Sequence, residues 1–450
     1  MKALSLEDIA VKGGGKLIGT SSMLKITGIS IDSRSIEKGN IFVALKGPSV
    51  DGHDYLRDAE KNGASSFVVD KVFDSKQPYI LVEDTYKFLD DLAIKRRKDF
   101  KGKVVSVTGS NGKTTTKEII YSLLSSEGRC HKTLGNKNNN IGVPLTLSTL
   151  EKDLDFSVIE IGTNSPGEIN NLSEIVKPDV AVITNVTPSH LEGLGSVDKI
   201  ADEKGFILDH IQEGGAAVLP KDSRFFEKWK KRTCKNKIIS FGLDKKSDIV
   251  LNNTEIDVLN NLMSFNIEYF DTKLRCQMNG IAAHNAMNAC AALAVGIALN
   301  LDLTKICINL SKVDFPQRRL SIHKALKNSL VIDDSYNANP ESMKRSLDVI
   351  KDLTNKKRIF IAGQMAELGQ KEALFHEQVC EYARGKVEEF LCVGELWEGG
   401  LKYLPKVGKC FKSKDDLFDY ISENITEDLV ILVKGSRVSG MEFIADKLKV

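Results

Sequence analysis

Hydrophobic and polar positions change their pattern along the chain, and the first hundred residues form the first pattern. The segment ITGISIDSRSIEKGNIFVAL at 26–45 alternates apolar and polar positions before Gly47 and Pro48 interrupt it. Such alternation is typical of half-buried strands, and glycine and proline mark turns. We therefore expect short strands and turns here, followed by a helix at Tyr55–Asn62 and a strand at Ser66–Val69.

From Lys103 onward the chain contains a series of apolar runs, and each run ends close to a segment with a helical pattern. The runs are VVSVTG, FSVIEIG, DVAVITNV, AAVLP and IISFG, and after a break at Pro316 come LVIDDSY, RIFIAGQ, EFLCVG and LVILVKGS. Strands that alternate with helices predict a parallel sheet covered on both faces. The chain is therefore predicted to be an α/β protein with a small α/β domain at 1–100, a central parallel-sheet domain at 101–315 and a Rossmann-like domain at 316–450.

One segment, Asn279 to Leu301, has no formal charge over 23 residues and is long enough to cross a bilayer. It contains one histidine and several asparagines, and unpaired polar groups of this kind are costly in lipid. Its alanines favour a close-packed helix in a protein core. We therefore predict a buried helix and no membrane insertion.

The composition and charge of the chain argue against some classes of function. The 450 residues include 63 basic and 61 acidic side chains, a net charge of +2 that offers no broad field for a nucleic-acid backbone. The eight cysteines form no C-x-x-C pair, so reduced thiols are expected. Glu7 and Asp8 stand where a signal peptide needs apolar residues. We expect a cytoplasmic protein that does not bind nucleic acid.

The strongest motif is the loop VTGSNGKTTT, which lies between a β-branched strand and a helix. Val107 stands where the common phosphate loop has a glycine, but two glycines, a lysine and threonines follow in the order that a phosphate site needs. We expect backbone N–H groups and Lys113 to hold the phosphates of ATP, and the Thr114 hydroxyl to bind Mg²⁺. The predicted cofactor-binding residues of the loop are Thr108, Gly109, Ser110, Asn111, Gly112, Lys113, Thr114 and Thr115.

Glu160 lies at the end of the apolar strand 156–161, which we assign to the same sheet as the loop. An acidic side chain at the carboxyl end of such a strand can reach a metal ion beside the phosphates. The simpler interpretation is a solvated carboxylate at a strand end. The shared sheet favours a metal ligand.

The loop variant T-G-[ST]-N-G-K-T-[ST] resembles the Mur ligases, the ATP-dependent amide-forming enzymes of peptidoglycan precursor synthesis. Further matching segments are LGNKNNNIGVPLTL, HLEGLGS, DDSYNANPESM and LVKGSR, so the resemblance spans nearly the whole chain. It implies a UDP-substrate domain, a central ATPase domain of the P-loop type and a C-terminal ligase domain. It is closest to the members that join UDP-N-acetylmuramoyl-tripeptide to D-alanyl-D-alanine through an acyl phosphate.

The resemblance also implies metal ligands. His190 matches the family histidine that holds a second Mg²⁺, and Lys204 matches a lysine that many members carry as a carbamate. Carbamate formation needs a neutral amine, hence a lowered lysine pKa. The implied metal ligands are Thr114, Glu160, His190 and Lys204, and the implied catalytic residues are Lys113, Glu160, His190 and Lys204.

For the nucleotide, the resemblance implies that Asn285 contacts adenine and that Arg319 reaches a phosphate after domain closure. Asp334 and Asn337 would face the ribose and phosphates from the third domain. The implied substrate-binding residues are Ser33, Arg34, Asn139, Lys434, Ser436 and Arg437.

Three positions depart from the family pattern. Arg318 stands where glycine is usual, which leaves open which of the arginines at 318 and 319 contacts phosphate. Asn140 replaces an acidic residue and is expected to affect how the stem peptide is read. Gln364 replaces an aspartate, either on the acceptor side or without consequence.

Alternatives remain open at this point. A Mur ligase that adds a diamino acid to the dipeptide is expected to carry a D-N-P-R motif, which is absent here. Folylpolyglutamate synthetase shares the loop but lacks the first domain. A silent nucleotide-binding scaffold would not need the metal ligands. A monomer is expected, and the third stem residue stays open.

Overall fold

The computed structural model describes residues 1–19, 24–189, 191–233, 235–258, 260–353 and 356–450. His190, which the sequence analysis assigns to a metal, lies outside the described residues. Within these ranges, helices are too short or too polar for any of them to cross a bilayer.

The N-terminal part of the chain builds a small mixed sheet with strand order β2-β7-β6-β5-β4. Strands β4 to β7 run parallel, and β2 is antiparallel to β7 at the edge. The strands of this part, including a two-stranded pair β1-β3, are β1 (Leu4–Ser5), β2 (Lys16–Ile18), β3 (Lys25–Ile26), β4 (Gly28–Ser30), β5 (Asn40–Val43), β6 (Ser66–Val69) and β7 (Tyr79–Leu81). Its helices are α1 (Leu6–Lys12), α2 (Leu56–Lys61) and α3 (Thr85–Asp99).

The two elements predicted in this part are found. Strand β6 has the predicted bounds, while the predicted helix is divided into a 3-10 turn at Gly52–Tyr55 and α2. Asp51 caps the 3-10 turn by accepting from His53 N, so the helical backbone starts three residues earlier than expected.

The central part builds a nine-stranded sheet in the order β16-β15-β14-β13-β12-β11-β8-β10-β9. Strands β8 to β14 pair with one another in parallel, as the βα rhythm predicts, whereas β14 pairs with β15 in the antiparallel direction. The strands are β8 (Lys103–Thr108), β9 (Cys130–Lys132), β10 (Phe156–Glu160), β11 (Val180–Ile183), β12 (Ala216–Pro220), β13 (Lys237–Gly242), β14 (Ile249–Asp257), β15 (Leu262–Tyr269) and β16 (Thr272–Asn279). The helices are α4 (Lys113–Ser125), α5 (Gly142–Ser148), α6 (Glu168–Val176), α7 (Leu191–Leu194), α8 (Val197–Gly205), α9 (Phe226–Arg232), α10 (His284–Ala298) and α11 (Leu303–Asn309).

The uncharged segment at 279–301 is mainly the buried helix α10, as predicted. It packs against α4 and the sheet in one apolar core, where its alanines allow a close approach. The segment begins differently from the expectation, because Asn279 is the last residue of β16 and the helix starts at His284. Antiparallel strands β15 and β16 were not predicted.

The C-terminal part builds a six-stranded sheet in the order β17-β18-β22-β19-β20-β21, with β17 as its antiparallel edge. Helices cover both faces, as in a Rossmann-like unit. The strands are β17 (Ser321–Lys324), β18 (Leu330–Asp334), β19 (Lys357–Ala362), β20 (Glu389–Val393), β21 (Gly408–Phe411) and β22 (Leu429–Lys434). The helices are α12 (Pro340–Lys351), α13 (Glu372–Ala383), α14 (Lys414–Asn424) and α15 (Glu442–Leu448).

The cysteine expectation is wrong for one pair. A disulfide joins Cys276 on β16 to Cys307 on α11, whose Cα atoms lie 5.8 Å apart. The two residues are 31 positions apart, so only the packing of α11 against β16 brings them together. Free thiols are found at Cys130, Cys290, Cys380, Cys392 and Cys410.

Candidate active site

A cavity of about 330 Å³ lies between the carboxyl ends of the central strands and those of the C-terminal strands. Ligands of open α/β sheets bind at this edge. The sequence-predicted residues that line the cavity are Ser110, Asn111, Gly112, Lys113, Thr114, Thr115, Asn139, Glu160, Asn285, Arg319, Asp334, Asn337, Lys434, Ser436 and Arg437. Most of the predicted site is therefore gathered in one place.

The phosphate loop connects β8 to α4 with a backbone that needs two glycines. Gly109 has a φ of 153° and Gly112 a φ of 78°. A Cβ atom at Gly109 would lie 1.9 Å from Thr184 Oγ1, and one at Gly112 would lie 2.6 Å from Asn288 Oδ1. Only glycine fits, and its backbone leaves N–H groups at the start of α4, where anions bind.

The segment after β11 holds this loop in place. Asn185 accepts from Asn111 N at 3.0 Å and donates from its side-chain amide to Asn111 O at 2.9 Å. Thr184 Oγ1 donates to the same carbonyl oxygen at 2.6 Å, and Ser110 Oγ donates to Thr187 O at 3.0 Å. A loop ordered in advance loses less entropy when it binds a phosphate.

Lys113 is the first residue of α4, and its side chain bends back over the loop. Its Nζ donates to Gly109 O at 2.7 Å and lies 3.4 Å from Ser110 O. Burial lowers the pKa of Lys113, and the carboxylates of Glu160 and Glu367 oppose that shift. Because an ionised phosphate oxygen binds an ammonium group more strongly than a carbonyl does, the side chain is placed to exchange these carbonyls for phosphates.

Thr114 and Glu160 form the candidate metal site. Glu160 Oε1 accepts from Thr114 Oγ1 at 3.1 Å and from Asn138 Nδ2 at 2.7 Å. Glu160 is 1% exposed, and its Oε2 is buried without a hydrogen-bond partner among the described residues. A hydroxyl and a carboxylate are the hard oxygen donors that Mg²⁺ prefers, so these residues fit that ion. No group of three or more His, Cys, Asp or Glu side chains that could cage a metal was found in the described part of the chain.

Lys117 is a residue that sequence reasoning missed. Its side chain is fully buried, and its Nζ donates to Thr133 O at 2.8 Å. The same nitrogen lies 3.1 Å from Glu118 Oε1 and 3.7 Å from Glu160 Oε2. The ammonium group therefore offsets the charge of two carboxylates in a dry environment. The available signal was its spacing, since it lies four residues after Lys113 and thus on the same helix face.

The first turn of α10 forms the wall beside the loop. Asn285 and Asn288 are buried, and Asn288 Nδ2 donates to Asn285 Oδ1 at 3.1 Å. Burial, with help from Arg345 and Lys434, lowers the pKa of the neighbouring His284 to about 3. A neutral imidazole and two amides supply both donors and acceptors, which is what recognition of a purine edge requires.

Two contacts join the C-terminal domain to the phosphate loop. Arg319 Nη2 donates to Thr114 Oγ1 at 3.0 Å, while the guanidinium lies over the ring of Tyr336 at 4.2 Å from its centre. Asn339 Nδ2 donates to Asn111 Oδ1 at 2.7 Å. Both domains therefore contribute to one site.

A buried ion pair builds the C-terminal wall. Asp334 and Lys434 are register partners at the ends of β18 and β22, and Lys434 Nζ donates to Asp334 Oδ2 at 2.6 Å. The same carboxylate oxygen accepts from Ser346 Oγ at 2.7 Å, and Lys434 also donates to Asn337 O at 3.0 Å. This network fixes the predicted residues of the third domain relative to one another.

Comparison with known proteins gives the family. Successive family profiles match residues 25–97 (Mur ligase family, catalytic domain), 107–296 (Mur ligase middle domain) and 318–437 (Mur ligase, glutamate ligase domain). The UDP-N-acetylmuramoyl-tripeptide–D-alanyl-D-alanine ligase of Buchnera aphidicola subsp. Acyrthosiphon pisum is 34% identical over 453 residues, which cover 100% of this chain and 98% of the relative. This chain belongs to the Mur ligase family.

Solved structures of Mur ligases have the same fold. MurF from Acinetobacter baumannii superposes with a TM-score of 0.90 at 30% identity and 99% coverage of both chains. MurF ligase from Thermotoga maritima, determined in complex with ADP, superposes with a TM-score of 0.80 at 29% identity and covers 93% of this chain and 96% of its own. The resemblance and the three-domain α/β fold predicted from the sequence are thereby confirmed.

Lys204 of this Mur ligase lies on α8 and does not line the cavity. Its side chain is 1% exposed. Burial lowers its pKa well below the ordinary value, the Lys113 ammonium lowers it further, and Glu203 opposes the shift. A buried amine that favours its neutral form meets the chemical requirement for carbamate formation.

Two of the predicted substrate residues lie in the N-terminal domain, outside the cavity wall. Arg34 is exposed and makes a double contact with Asp32 at 2.9 and 2.8 Å, which, with help from Lys137, lowers the pKa of that carboxyl to about 2. Ser33 is buried. Asn139 lines the cavity, and its Oδ1 accepts from the first N–H group of α5 at 2.9 Å.

The structure explains two of the departures from the family pattern. Arg318 has a φ of 64°, a conformation that glycine adopts without strain, and its guanidinium turns away to Asp446 at 3.0 Å. Gln364 does not line the cavity; with its amide oxygen toward the backbone N–H groups of Glu395 and Leu396, it accepts from both at 3.3 and 3.2 Å. It therefore caps a helical turn of the C-terminal domain.

The third departure, Asn140, is exposed and is not part of the cavity wall. On the C-terminal rim, Ser436 Oγ donates to Gln364 O at 2.6 Å, and Arg437 Nη1 donates to Glu442 Oε1 at 3.1 Å. The Ser436 hydroxyl thus stabilises its own loop by a hydrogen bond within the protein. The Arg437 side chain is mostly exposed at the cavity edge.

Proposed function

We propose that this protein forms the amide bond between the terminal carboxylate of UDP-N-acetylmuramoyl-tripeptide and D-alanyl-D-alanine at the cost of ATP. Its full-length similarity to ligases of that name supports the reaction. The observation that carries the proposal is the convergence, in one cavity, of Lys113, Thr114 and Glu160 with Arg319 from the third domain. Such an arrangement suits phosphoryl transfer, which depends on positioning and charge neutralisation.

The reaction has two steps. The substrate carboxylate oxygen attacks the γ-phosphorus of ATP, the bond to ADP breaks, and an acyl phosphate forms. Lys113 and the loop N–H groups would hold the phosphates, and Arg319 would neutralise the charge that develops on the transferred group. The Thermotoga relative in complex with ADP supports a nucleotide in this site.

We further propose that Thr114 and Glu160 hold Mg²⁺ beside the terminal phosphates. When bound, the ion would supply charge neutralisation. His190 and a carbamate on Lys204 complete our proposal for a second ion. The carbamate is supported by the burial of the Lys204 amine, which favours its neutral form. Native mass spectrometry at raised bicarbonate concentration tests it. The wild-type protein should gain the mass of one CO₂ molecule, and a Lys204→Arg variant should not.

The remaining assignments are proposals of the same kind. We assign residues 1–100 to binding of the UDP-sugar, residues 101–315 to binding of ATP, and residues 316–450 to binding of the acceptor and to domain closure. Ser33, Arg34 and Asn139 would face the UDP-sugar. The three large sheets fall inside these ranges. Asn285 would contact adenine, and Asp334 and Asn337 would face the ribose and phosphates. A cytoplasmic location is proposed because the cosubstrate ATP is an intracellular compound. A monomer is proposed because one chain supplies the residues that line the cavity.

The test is ADP release with UDP-N-acetylmuramoyl-tripeptide while the acceptor is varied among D-alanyl-D-alanine, single amino acids and glutamate. We expect turnover with the dipeptide. Lys113→Ala should abolish it, and the exposed Lys152→Ala should not. Preference for a diamino acid on the UDP-linked dipeptide would favour the neighbouring Mur ligase reaction, and no ADP with any acceptor would favour a scaffold.

A further inference from the structure

The chain passes from the central core to the C-terminal core over residues 313–320, and its backbone is strained at two places in that segment. Val313 is buried in the apolar core of the central domain, and Leu320 is buried in that of the C-terminal domain. Arg318 has a φ of 64° and Leu320 a φ of 57°, in the left-handed region that residues other than glycine rarely adopt. The two residues flank Arg319, whose side chain contacts the central domain. Such strain persists only where surrounding contacts hold it.

Ion pairs with helix α15 tie Arg318 to the C-terminal domain. Its Nη2 donates to Asp446 Oδ2 at 3.0 Å, and its Nη1 lies 3.6 Å from Glu442 Oε1. Glu442 and Asp446 are one helical turn apart on α15, so both carboxylates face the same guanidinium. The backbone of Arg318 makes a further contact, since its carbonyl oxygen accepts from Tyr336 N at 3.2 Å. All three contacts lie within the C-terminal domain.

The two carboxylates of α15 also bind other cations of that domain. Glu442 Oε1 accepts from Arg437 Nη1 at 3.1 Å, and Asp446 Oδ1 accepts from Lys449 Nζ at 2.8 Å. Lys449 Nζ also donates to the buried Asp333 at 2.7 Å. Exposed ion pairs contribute little singly, whereas charges joined in a network are held in place. The carboxylates that bind the hinge are therefore part of a fixed array that reaches the end of β18.

The Arg319 side chain extends into the cavity between the domains. Its guanidinium lies over the Tyr336 ring and donates to Thr114 Oγ1 at 3.0 Å. Backbone dihedrals are the soft degrees of freedom of the chain, so the left-handed turn at Arg318 determines where the next side chain points. If Arg318 returned to the right-handed or extended region, the Arg319 guanidinium would move away from Thr114.

We propose that Arg318 is a positioning residue for Arg319, because its ion pairs with α15 stabilise the left-handed turn that aims the Arg319 guanidinium at the phosphate site. The inference rests on the proposed function, in which Arg319 would neutralise charge on the transferred phosphoryl group. Glycine, which is usual at this position in the family, reaches the turn without an anchor, whereas arginine needs one.

The experiment measures ADP release by the purified full-length protein with UDP-N-acetylmuramoyl-tripeptide and D-alanyl-D-alanine while ATP is varied. Arg318→Ala removes the ion pairs and keeps a residue that disfavours the left-handed region. We expect its kcat to fall by about 10–100-fold, because misplacing a charge-neutralising group is costly, while KM for ATP stays within about threefold. Arg318→Gly removes the same ion pairs but adopts the turn freely, so its kcat should stay within about threefold of the wild type.

Two double variants test whether Arg318 acts through Arg319. Arg318→Ala should change kcat by less than about twofold in a protein that already carries Arg319→Ala. Asp446→Asn should lower kcat in the wild type and have no further effect beside Arg318→Gly, because glycine needs no anchor. It also tests the anchor if Arg318→Ala fails to fold. Asp415→Asn, which removes a different ion pair of α15, that with Lys447, is the matched control and should equal the wild type.

Three results would overturn the inference alone: an unchanged kcat in Arg318→Ala, a glycine variant no more active than the alanine variant, or an equal loss from Arg318→Ala with and without Arg319. The last result would indicate a general structural role. A wild-type protein that releases no ADP with any acceptor would instead overturn the proposed function, and the inference with it.

Discussion

Removing one partner of the buried pair between Asp334 and Lys434 should destabilise the C-terminal domain more than removing both. Lys434 is 3% exposed and Asp334 is 8% exposed, and the two groups are joined by a hydrogen bond of 2.6 Å. Asp334→Asn removes the negative charge beside Lys434. The Lys434 ammonium group then keeps a neutral acceptor, Asn337 O, at 3.0 Å. Lys434→Met leaves a carboxylate with the Ser346 hydroxyl as its donor.

The expected size follows from desolvation. An isolated charge at this depth costs about 3–5 kcal/mol, whereas replacing both members of a pair with neutral groups is often nearly neutral. Each single variant should therefore lose about 3 kcal/mol in the free energy of unfolding, and the double variant about 1–2 kcal/mol. The coupling energy between Asp334 and Lys434 should then exceed about 2 kcal/mol.

A chain of several domains need not unfold in one step, so the assay should report on this sheet alone. Hydrogen exchange in low urea, followed on peptides that contain β18 and β22, gives the opening free energy of the strands that carry the pair. Peptides from β8 and β10 serve as the internal control. Additive losses, with a coupling energy below about 0.5 kcal/mol, would show that the two charges are solvated and that our account of this wall is incorrect.

Three other predictions concern the central domain. Gly109→Ala should weaken ATP binding at least tenfold in calorimetry, because its Cβ atom would lie 1.9 Å from Thr184 Oγ1; equal affinity would refute the tight loop. Lys117→Met should lower the urea midpoint by removing the ammonium that lies 3.7 Å from Glu160 Oε2, and an unchanged midpoint would contradict that role. Burial lowers the pKa of His131 to about 4 from an ordinary 6.5, so the unfolded chain binds an additional proton between these values. Stability should thus fall as pH drops from 6.5 towards 4, with a smaller slope in His131→Gln, and equal slopes would argue against a buried neutral ring.

The sequence predicted the elements that depend on residues close together in the chain. The strand, glycine turn and helix of the phosphate loop follow one another directly, and the structure has them at 103–125. Glu160 was placed at the correct sheet edge for the same reason, since parallel strands end together. The βα rhythm likewise predicted the parallel strands β8 and β10 to β13 of the central sheet and β18, β19, β20 and β22 of the C-terminal sheet.

Contacts between distant segments were not predictable in this way. Asn138 contacts Glu160 because β9 and β10 are neighbours, a pairing that the apolar runs do not reveal. Lys117 contacts Glu160 because α4 packs against β10. Strands β15 and β16 were missed although the sequence carries their signal, since apolar and polar residues alternate in MSFNIEY and in LRCQMN, as in half-buried strands. The left-handed backbone of Glu367, with a φ of 61°, was not predicted, because the local sequence has no glycine at that position to indicate it.

The placement of the polar groups suggests why the two steps need two domains. The first step requires a phosphate site that is already ordered, and the loop at 109–112 is fixed by residues of its own sheet. The second proposed step needs the acceptor, which we assign to the C-terminal domain. Arg319 and Asn339 of that domain contact Thr114 and Asn111, so a nucleotide that displaced these contacts would also change the position of the C-terminal wall. In the proposed reaction, nucleotide binding and the position of the C-terminal domain would therefore be coupled.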